Sequence, residues 1–311
     1  MLPTCLNARW LQRRRHRVKE WWLVGVADGA IAYAKGHGTQ NDFILLPDPD
    51  AELDLTANRV RALTDRRRGL GADGVLRVVP TIACPEVADQ ASRANWFMDY
   101  RNADGSVAEM CGNGARLFAR FLVDRDWETT PSFRIATRGG VREVEVSGES
   151  VAVEMGPANT TGYDGPVTVT VAQSHFGAVG VGFPNPHVVV FVDDLAVPGD
   201  LLVAPTVLPV SAYPDGVNVE FVAVADDNHV AFRVFERGVG ETRSCGTGAC
   251  AVGWALRRSR GVGDPTAPLA IDVLGGRLRV HERADGHWVL DGPTTMVADG
   301  AIGLQWWKDN A

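Results

Sequence analysis

Glu109-Met110-Cys111-Gly112-Asn113-Gly114-Ala115-Arg116 and Arg243-Ser244-Cys245-Gly246-Thr247-Gly248-Ala249-Cys250 are two versions of one phrase. Each sets a cysteine before Gly-x-Gly and then an apolar run, Leu117 to Leu122 in the first and Ala251 to Leu256 in the second. The runs read as helices. Each cysteine then stands at a helix N-terminus, where unpaired backbone N–H groups and the positive end of the dipole favour an anion. That setting is expected to lower the thiol pKa and supply thiolate near neutral pH. A lone cysteine so placed reads as a buried structural residue. Two in matching contexts point to a pair of thiols facing one substrate.

Working outward, other landmarks recur in the same order. Asn41-Asp42-Phe43 is matched by Asn185-Pro186-His187, each followed by an apolar strand. Asp73-Gly74-Val75 is matched by Asp215-Gly216-Val217, and Phe97 to Tyr100 by Phe232 to Phe235. Arg101-Asn102 before the first cysteine corresponds to Glu236-Arg237 before the second. The spacing from Asn41 to Asp73 is 32 and from Asn185 to Asp215 is 30; from there to the cysteine it is 38 and 30. The polar stretch 80–94, read as a surface loop, absorbs the difference. Four landmarks in one order predict a tandem repeat of about 120 residues, two copies of a domain rather than a short-period solenoid. Strands dominate each half, with two helices in each, the first of them over 55–67 with Asp54 or Thr56 as its cap. The expected fold class is α+β (an α/β two-lobe chain) with two pseudo-symmetric lobes. Gly156-Pro157 marks the boundary. The lobes are expected to span 31–155 plus 291–311, and 156–290, with the tail through Trp306-Trp307 packing back on the first.

Bulk properties narrow the function. The 311 residues suffice for two cored domains. A net charge of −7 argues against a general nucleic-acid binder. Five cysteines are too few for a disulfide scaffold and fit a reducing cytoplasm. No apolar run reaches the length of about 18 residues that a membrane span needs. Residues 1–30 hold a basic stretch (Arg9 to Lys19) and a short apolar one (Trp21 to Val26). They are read as a poorly ordered upstream extension, ahead of a signal peptide or a nucleic-acid-binding arm.

The repeat supports a definite chemistry. Equivalent residues of two such lobes stand on opposite walls of a cleft, and two acid/base groups on opposite faces of one carbon are what stereoinversion requires. One cysteine acts as thiolate, the other as thiol. Backbone N–H groups around Gly112-Asn113 and Gly246-Thr247 can hold a carboxylate and the enolate-like charge that develops on it. Asn41, Asn102, Asn185 and Asn218 fall at strand ends or turns near the cleft. Glu236 and Arg237 could hold an ammonium and a carboxylate, against the plainer reading of a surface ion pair. Cys5, Cys84 and Cys250 are read as structural. Cys245 and Cys250 lack a partner pair for zinc, and no metal is expected. Gly246-x-Gly248-x-x-Ala251 lacks the preceding strand and later acid of a dinucleotide site. No lysine stands in a Schiff-base context. No cofactor is therefore expected.

At these residues the chain resembles the diaminopimelate epimerases. The resemblance rests on Gly36 to Phe43, Gly71 to Gly74, Arg101 to Ser106, Cys111 to Arg116, Asn185 to His187, Asp215 to Val219 and Glu236 to Gly248, with the wording of actinobacterial members. It covers roughly residues 31–311, and the first 30 have no counterpart. It implies a cofactor-independent isomerase that converts LL-diaminopimelate to the meso form, for lysine and peptidoglycan precursors, often as a cytoplasmic homodimer. Cys111 and Cys245 would be the thiolate/thiol pair. Gly112, Asn113, Gly246 and Thr247 would bind the reacting carboxylate. Asn102, Asn185, Asn218 and Arg237 would hold the distal carboxylate, Glu236 the distal ammonium, and Asn41 would line the site. His187 and Glu236 would tune the cysteines. Many members carry Gln where this chain has Gly74, so a side-chain contact is lost there.

Two rivals stand beside this reading. A proline or hydroxyproline racemase, or a phenazine-type isomerase, would share the fold but leave Asn102, Asn218 and Arg237 unexplained. A non-catalytic binding protein of the same shape would not need both thiols.

Overall fold

The computed structural model describes residues 26–27, 30–159, 163–171, 173–260 and 266–311. The expectation for residues 1–30 therefore lies almost wholly outside the described residues. The first half runs β1 (Val26–Ala27), β2 (Ala30–Gly38), β3 (Asn41–Pro47), α1 (Ala57–Thr64), β4 (Gly74–Pro80), β5 (Trp96–Asn102), α2 (Gly112–Asp124), β6 (Ser132–Ala136), β7 (Arg142–Ser147) and β8 (Ser150–Pro157). The second runs β9 (Val167–Val171), β10 (Ser174–Phe183), β11 (Asn185–Phe191), β12 (Thr206–Leu208), β13 (Asn218–Asp226), β14 (His229–Glu236), β15 (Gly240–Thr242), α3 (Gly246–Arg260), β16 (Leu269–Val273), β17 (Gly276–Glu282), β18 (His287–Gly303) and α4 (Leu304–Asp309).

The repeat is written in the strand pairing. From β2 to β8 successive pairs run antiparallel, parallel, antiparallel, parallel, antiparallel, antiparallel. The series β10, β11, β13, β14, β16, β17, β18 repeats that order. Strand β18 closes both halves. Its first part pairs with β17 and β8, and its second part with β2. The first half is thereby a closed ring, and a bridge between Asn159 and Gly182 joins the second half back to the end of β8. Closure removes exposed sheet edges.

Each ring wraps one helix. Helix α2 is buried nearly all round, because its residues Leu117, Phe118, Phe121 and Leu122 meet strands on every side. Helix α3 packs against β10, β11, β13, β17 and β18 in the same manner. Both helices belong to one apolar cluster that continues across the two halves through Trp288 and Leu290 of β18.

Parallel pairs need long crossovers. Three of them carry helices: α1, capped by Thr56 accepting from Arg59 N at 3.2 Å, then α2 and α3. The crossover from β11 to β13 does not. In place of the expected second helix of that half stand β12 and one 3-10 turn, Val210–Ala212. Pro198, Pro205, Pro209 and Pro214 fall in that stretch, and proline both lacks the amide donor and obstructs the preceding turn. The stretch 80–94 is likewise not a plain surface loop. Two 3-10 turns, Thr81–Ala83 and Pro85–Gln90, bury Cys84 and Val87 against Val79, Phe97 and Ala136. The tail does pack on the first half, where Ile302 and Trp307 join Ile31, Ile44 and Leu63.

Trp288 is fully buried, edge-on to Phe183, and fills the space left by Gly253, where an added Cβ would lie 2.6 Å from its ring. Trp288→Ala is expected to cost about 3–5 kcal/mol of stability in chemical denaturation, and Trp288→Phe clearly less.

Candidate active site

The two cysteine phrases meet. Cys111 is the N-cap of α2 in extended conformation, and its carbonyl accepts from Ala115 N at 2.8 Å. The carbonyl of Cys245 closes the first turn of α3 in the same way, from Ala249 N at 3.0 Å. The helices start against each other: a Cβ placed on Gly246 would lie 3.4 Å from Gly112 Cα and 3.5 Å from Asn113 N. Leu290 sits beneath this junction, its Cδ2 at 2.8 Å from an added Cβ on either glycine. Neither position has room for a side chain, so the Gly-x-Gly pattern is a packing requirement before it is a binding one.

Each sulfur accepts from its own helix. Cys111 Sγ receives Gly114 N–H at 3.5 Å, and Cys245 Sγ receives Gly248 N–H at 3.3 Å with Thr247 Oγ1 at 3.4 Å. The expectation of low thiol pKa values does not hold in this geometry. Burial pushes Cys111 up to about 11, against the Gly114 N–H that lowers it, and Glu236 raises it further. Burial, Glu236 and Glu220 push the Cys245 thiol well above its ordinary value. Desolvation of a thiolate outweighs one helix terminus. Cys84 and Cys250, read as structural, are buried, with thiols pushed up by burial.

The other sequence-selected residues divide into those at the junction and those on its rim. Asn41 donates to Asp73 Oδ2 at 2.8 Å, which turns its Oδ1 toward Asn113 Nδ2 at 3.2 Å and the Cys111 thiol at 3.7 Å. Asn113 also donates to Ser244 O across the junction at 3.1 Å. His187 lies on β11, fully buried, with Nδ1 at 2.6 Å from Glu220 Oε1 and Nε2 at 3.0 Å from Asn185 Oδ1. Glu236, at the end of β14, accepts from Thr242 Oγ1, and burial raises its pKa. Asn218 Oδ1 accepts from Arg237 N at 2.8 Å, and Arg237 reaches Asp215 O at 3.4 Å. Asn102 donates to Ser106 Oγ at 3.0 Å within its turn. Gly74 offers no space for a side chain, because an added Cβ would lie 2.8 Å from the Tyr100 ring.

Strand register shifts several correspondences: Gly74 answers to Asn218 rather than Gly216, and Phe97 to Ala231 rather than Phe232. Asn102 pairs with Gly74. In the second half Val219 pairs with Phe235, which puts Glu236 opposite Asn218. Phe43 lies beside Gly74 as His187 lies beside Asn218. Asn102 is therefore the counterpart of Glu236, one residue away from the pairing expected from sequence.

Sequence reasoning passed over four residues here. Glu220 is fully buried two places beyond Asn218. Arg116 is fully buried within α2. Thr39 and Ser244, one from each half, face each other with hydroxyl oxygens 2.6 Å apart. A single acid within the apolar run Val217 to Val222 was the available signal for Glu220. Nothing in the sequence marked Thr39 and Ser244, which meet only through the fold.

The fold is that of two-lobed isomerases. It is similar to a Bacillus anthracis phenazine biosynthesis protein of the PhzF family (14% identity, 88% of this chain and 99% of that one, TM-score 0.64). It is also similar to a hydroxyproline epimerase from Agrobacterium vitis (16% identity, 89% and 93%, TM-score 0.62). The diaminopimelate epimerase family profile matches residues 33–161 and 178–297. The diaminopimelate epimerase of Streptomyces coelicolor is 51% identical over 282 residues, 89% of this chain and 96% of that one. That of Mycobacterium tuberculosis H37Rv is 46% identical over 292 residues, 89% and 99%. The chain belongs to the diaminopimelate epimerase family, and its class is isomerase.

Gly246→Ala is expected to cost about 1–3 kcal/mol through overpacking against Leu290. A double-mutant cycle in denaturant should show Leu290→Ala offsetting part of that loss. Strict additivity would mean the two residues do not share the space.

Proposed function

We propose that the protein epimerises LL-2,6-diaminopimelate to the meso form by proton transfer at the α-carbon between a thiolate and a thiol, without a cofactor. The observation that carries this is the meeting of two cysteine-capped helix N-termini from the two repeats. In this reading one thiolate removes the α-proton, and the electron pair is delocalised into the α-carboxylate. That carboxylate is held by N–H groups of Gly112, Asn113, Gly246 and Thr247. The thiol on the other face delivers its proton to the carbon, and the two sulfurs end with exchanged protonation states. Burial suits this chemistry. A thiol whose pKa is raised is a stronger base once ionised, and so better matched to a weakly acidic C–H.

Asn102, Asn185, Asn218 and Arg237 bind the distal carboxylate in this assignment, Glu236 binds the distal ammonium, and Asn41 lines the site. His187 and Glu236 adjust the sulfurs. The lobes that flank the site are residues 31–155 plus 291–311, and 156–290. The assignment includes a cytoplasmic homodimer. Among the described residues no helix is long and apolar enough to cross a membrane, and no group of side chains is suited to hold a metal ion.

Incubation with LL-diaminopimelate in deuterated water, followed by NMR, should show deuterium entering one α-position as the meso isomer forms. A binding protein gives no exchange. Cys111→Ser and Cys245→Ser should each abolish epimerisation, and full activity in either variant would sink the two-base mechanism. Arg237→Ala should raise KM for diaminopimelate at least ~10-fold, the loss expected of a charge-assisted contact. Unchanged kinetics would point to a substrate without a distal amino-acid end.

A further inference from the structure

The two repeats differ beneath their sulfurs. In the first half the third helical residue, Gly114, rests on Leu76 Cδ2 and Phe43 Cζ, at 3.3 and 3.5 Å from an added Cβ. In the second half the equivalent Gly248 rests on Glu220 Oε1, at 2.7 Å, beside Cys245 Sγ at 3.2 Å. The register makes Phe43 the counterpart of His187 and Leu76 that of Glu220. An apolar pair under Cys111 is thus replaced by a buried acid–imidazole pair under Cys245. Glu220 Oε2 has no hydrogen-bond partner among the described residues.

Two residues further along the helix the asymmetry is the opposite. Arg116 corresponds to Cys250. Arg116 is fully buried, and no carboxylate forms an ion pair with it among the described residues. It donates to Asn113 Oδ1 at 2.6 Å, Thr39 Oγ1 at 3.1 Å and Pro293 O at 2.9 Å, all neutral acceptors, and its Nε has none. The acid that acts on it from β18, Asp291, is engaged by Ser150 and by Arg279 at 3.4 Å. The other anion in its field is the Cys111 thiolate, when formed. The groups around Cys111 are then Arg116 from α2, Tyr100 from β5 and Glu236 from β14. Those around Cys245 are Glu220 from β13 and Glu236, with His187 from β11 bonded to Glu220. Glu236 acts on both sulfurs; Arg116 acts on Cys111 and Glu220 on Cys245. Opposing this bias are Glu236 and Asn41 Oδ1 at 3.7 Å on the Cys111 side, and Gly248 N–H and Thr247 Oγ1 at 3.3 and 3.4 Å from Cys245 Sγ on the other.

We infer that Arg116 and Glu220 are positioning residues that divide the protons unequally, so that Cys111 ionises first and Cys245 keeps its proton. This rests on the two-thiol reading above and adds which sulfur is the base of the substrate-free enzyme. A buried cation without a counter-ion is costly, and the thiolate it stabilises is its compensation.

The test is alkylation of the full-length enzyme by iodoacetamide across a pH series, read separately at Cys111 and Cys245 by mass spectrometry. Midpoints rather than absolute rates are compared, because the two sulfurs differ in exposure. The midpoint of Cys111 should lie below that of Cys245. Arg116→Met should raise the Cys111 midpoint by about one pH unit and leave Cys245 in place, and Arg116→Lys should restore it. Glu220→Gln should lower the Cys245 midpoint alone. A Cys245 midpoint below that of Cys111 in the native chain overturns the inference, and so does a folded Arg116→Met with both midpoints unmoved. If Arg116→Met does not fold, the native order and Glu220→Gln decide. Turnover is measured in parallel. Absent deuterium exchange would remove the epimerase reading without touching the midpoints, and reversed midpoints would remove the inference without touching turnover.

Discussion

The structure depends on two helices beginning against each other. Helix N-termini each present partial positive charge and unpaired N–H groups, so bringing two together is unfavourable unless something negative lies between them. Here the junction is held from outside by closure of both strand rings on β18, with Leu290 as the floor under Gly112 and Gly246. The apolar core that continues across β18 supplies the free energy that keeps like ends together. A carboxylate, or a carbanion delocalised into one, is the species that such a pairing of like ends favours.

The loops that tie the halves together show a related economy. Thr39 and Gln40 join β2 to β3 with φ of 48° and 64°, a region unusual for a β-branched residue. The hairpin geometry asks for Asn-Gly or a similar pair at that turn. The residues present instead use their side chains across the junction. Thr39 Oγ1 meets Ser244 Oγ and Arg116, and Gln40 accepts from Arg243. Ser244 and Arg243 immediately precede the second cysteine. Backbone strain is thus placed where it fixes one cysteine phrase relative to the other.

Much of this was legible in the sequence because a repeat reports on itself. The order of Asn41, Asp73 and Cys111 against Asn185, Asp215 and Cys245 was enough to predict two like lobes, and strand pairing reproduces that order step by step. Three things were not legible. The crossover helix expected between β11 and β13 is replaced by turns, and its four prolines could have been weighed against the repeat. The Asn102–Glu236 correspondence requires strand register, which spacing in a turn cannot give. The thiol pKa values depend on burial, and the sequence shows the helix N-terminus but not the depth at which it sits. That last point reverses the sign of the expected shift.

The symmetry that makes the site recognisable is also what the chemistry must break. Two identical buried thiols would have no reason to differ in protonation, and a pair with both protons on or both off cannot invert a centre. The chain departs from its own repeat at three places beside the two helix starts: Phe43 becomes His187, Leu76 becomes Glu220, and Arg116 becomes Cys250. The first two changes add negative charge and its imidazole partner beneath Cys245, and the third confines an uncompensated cation to the side of Cys111. Glu220 and Arg116 act in the same direction. Charge differences at depths where water cannot screen them are felt far more strongly than on a surface. A few substitutions in otherwise matching lobes are therefore enough to turn a structural duplication into an acid on one face and a base on the other.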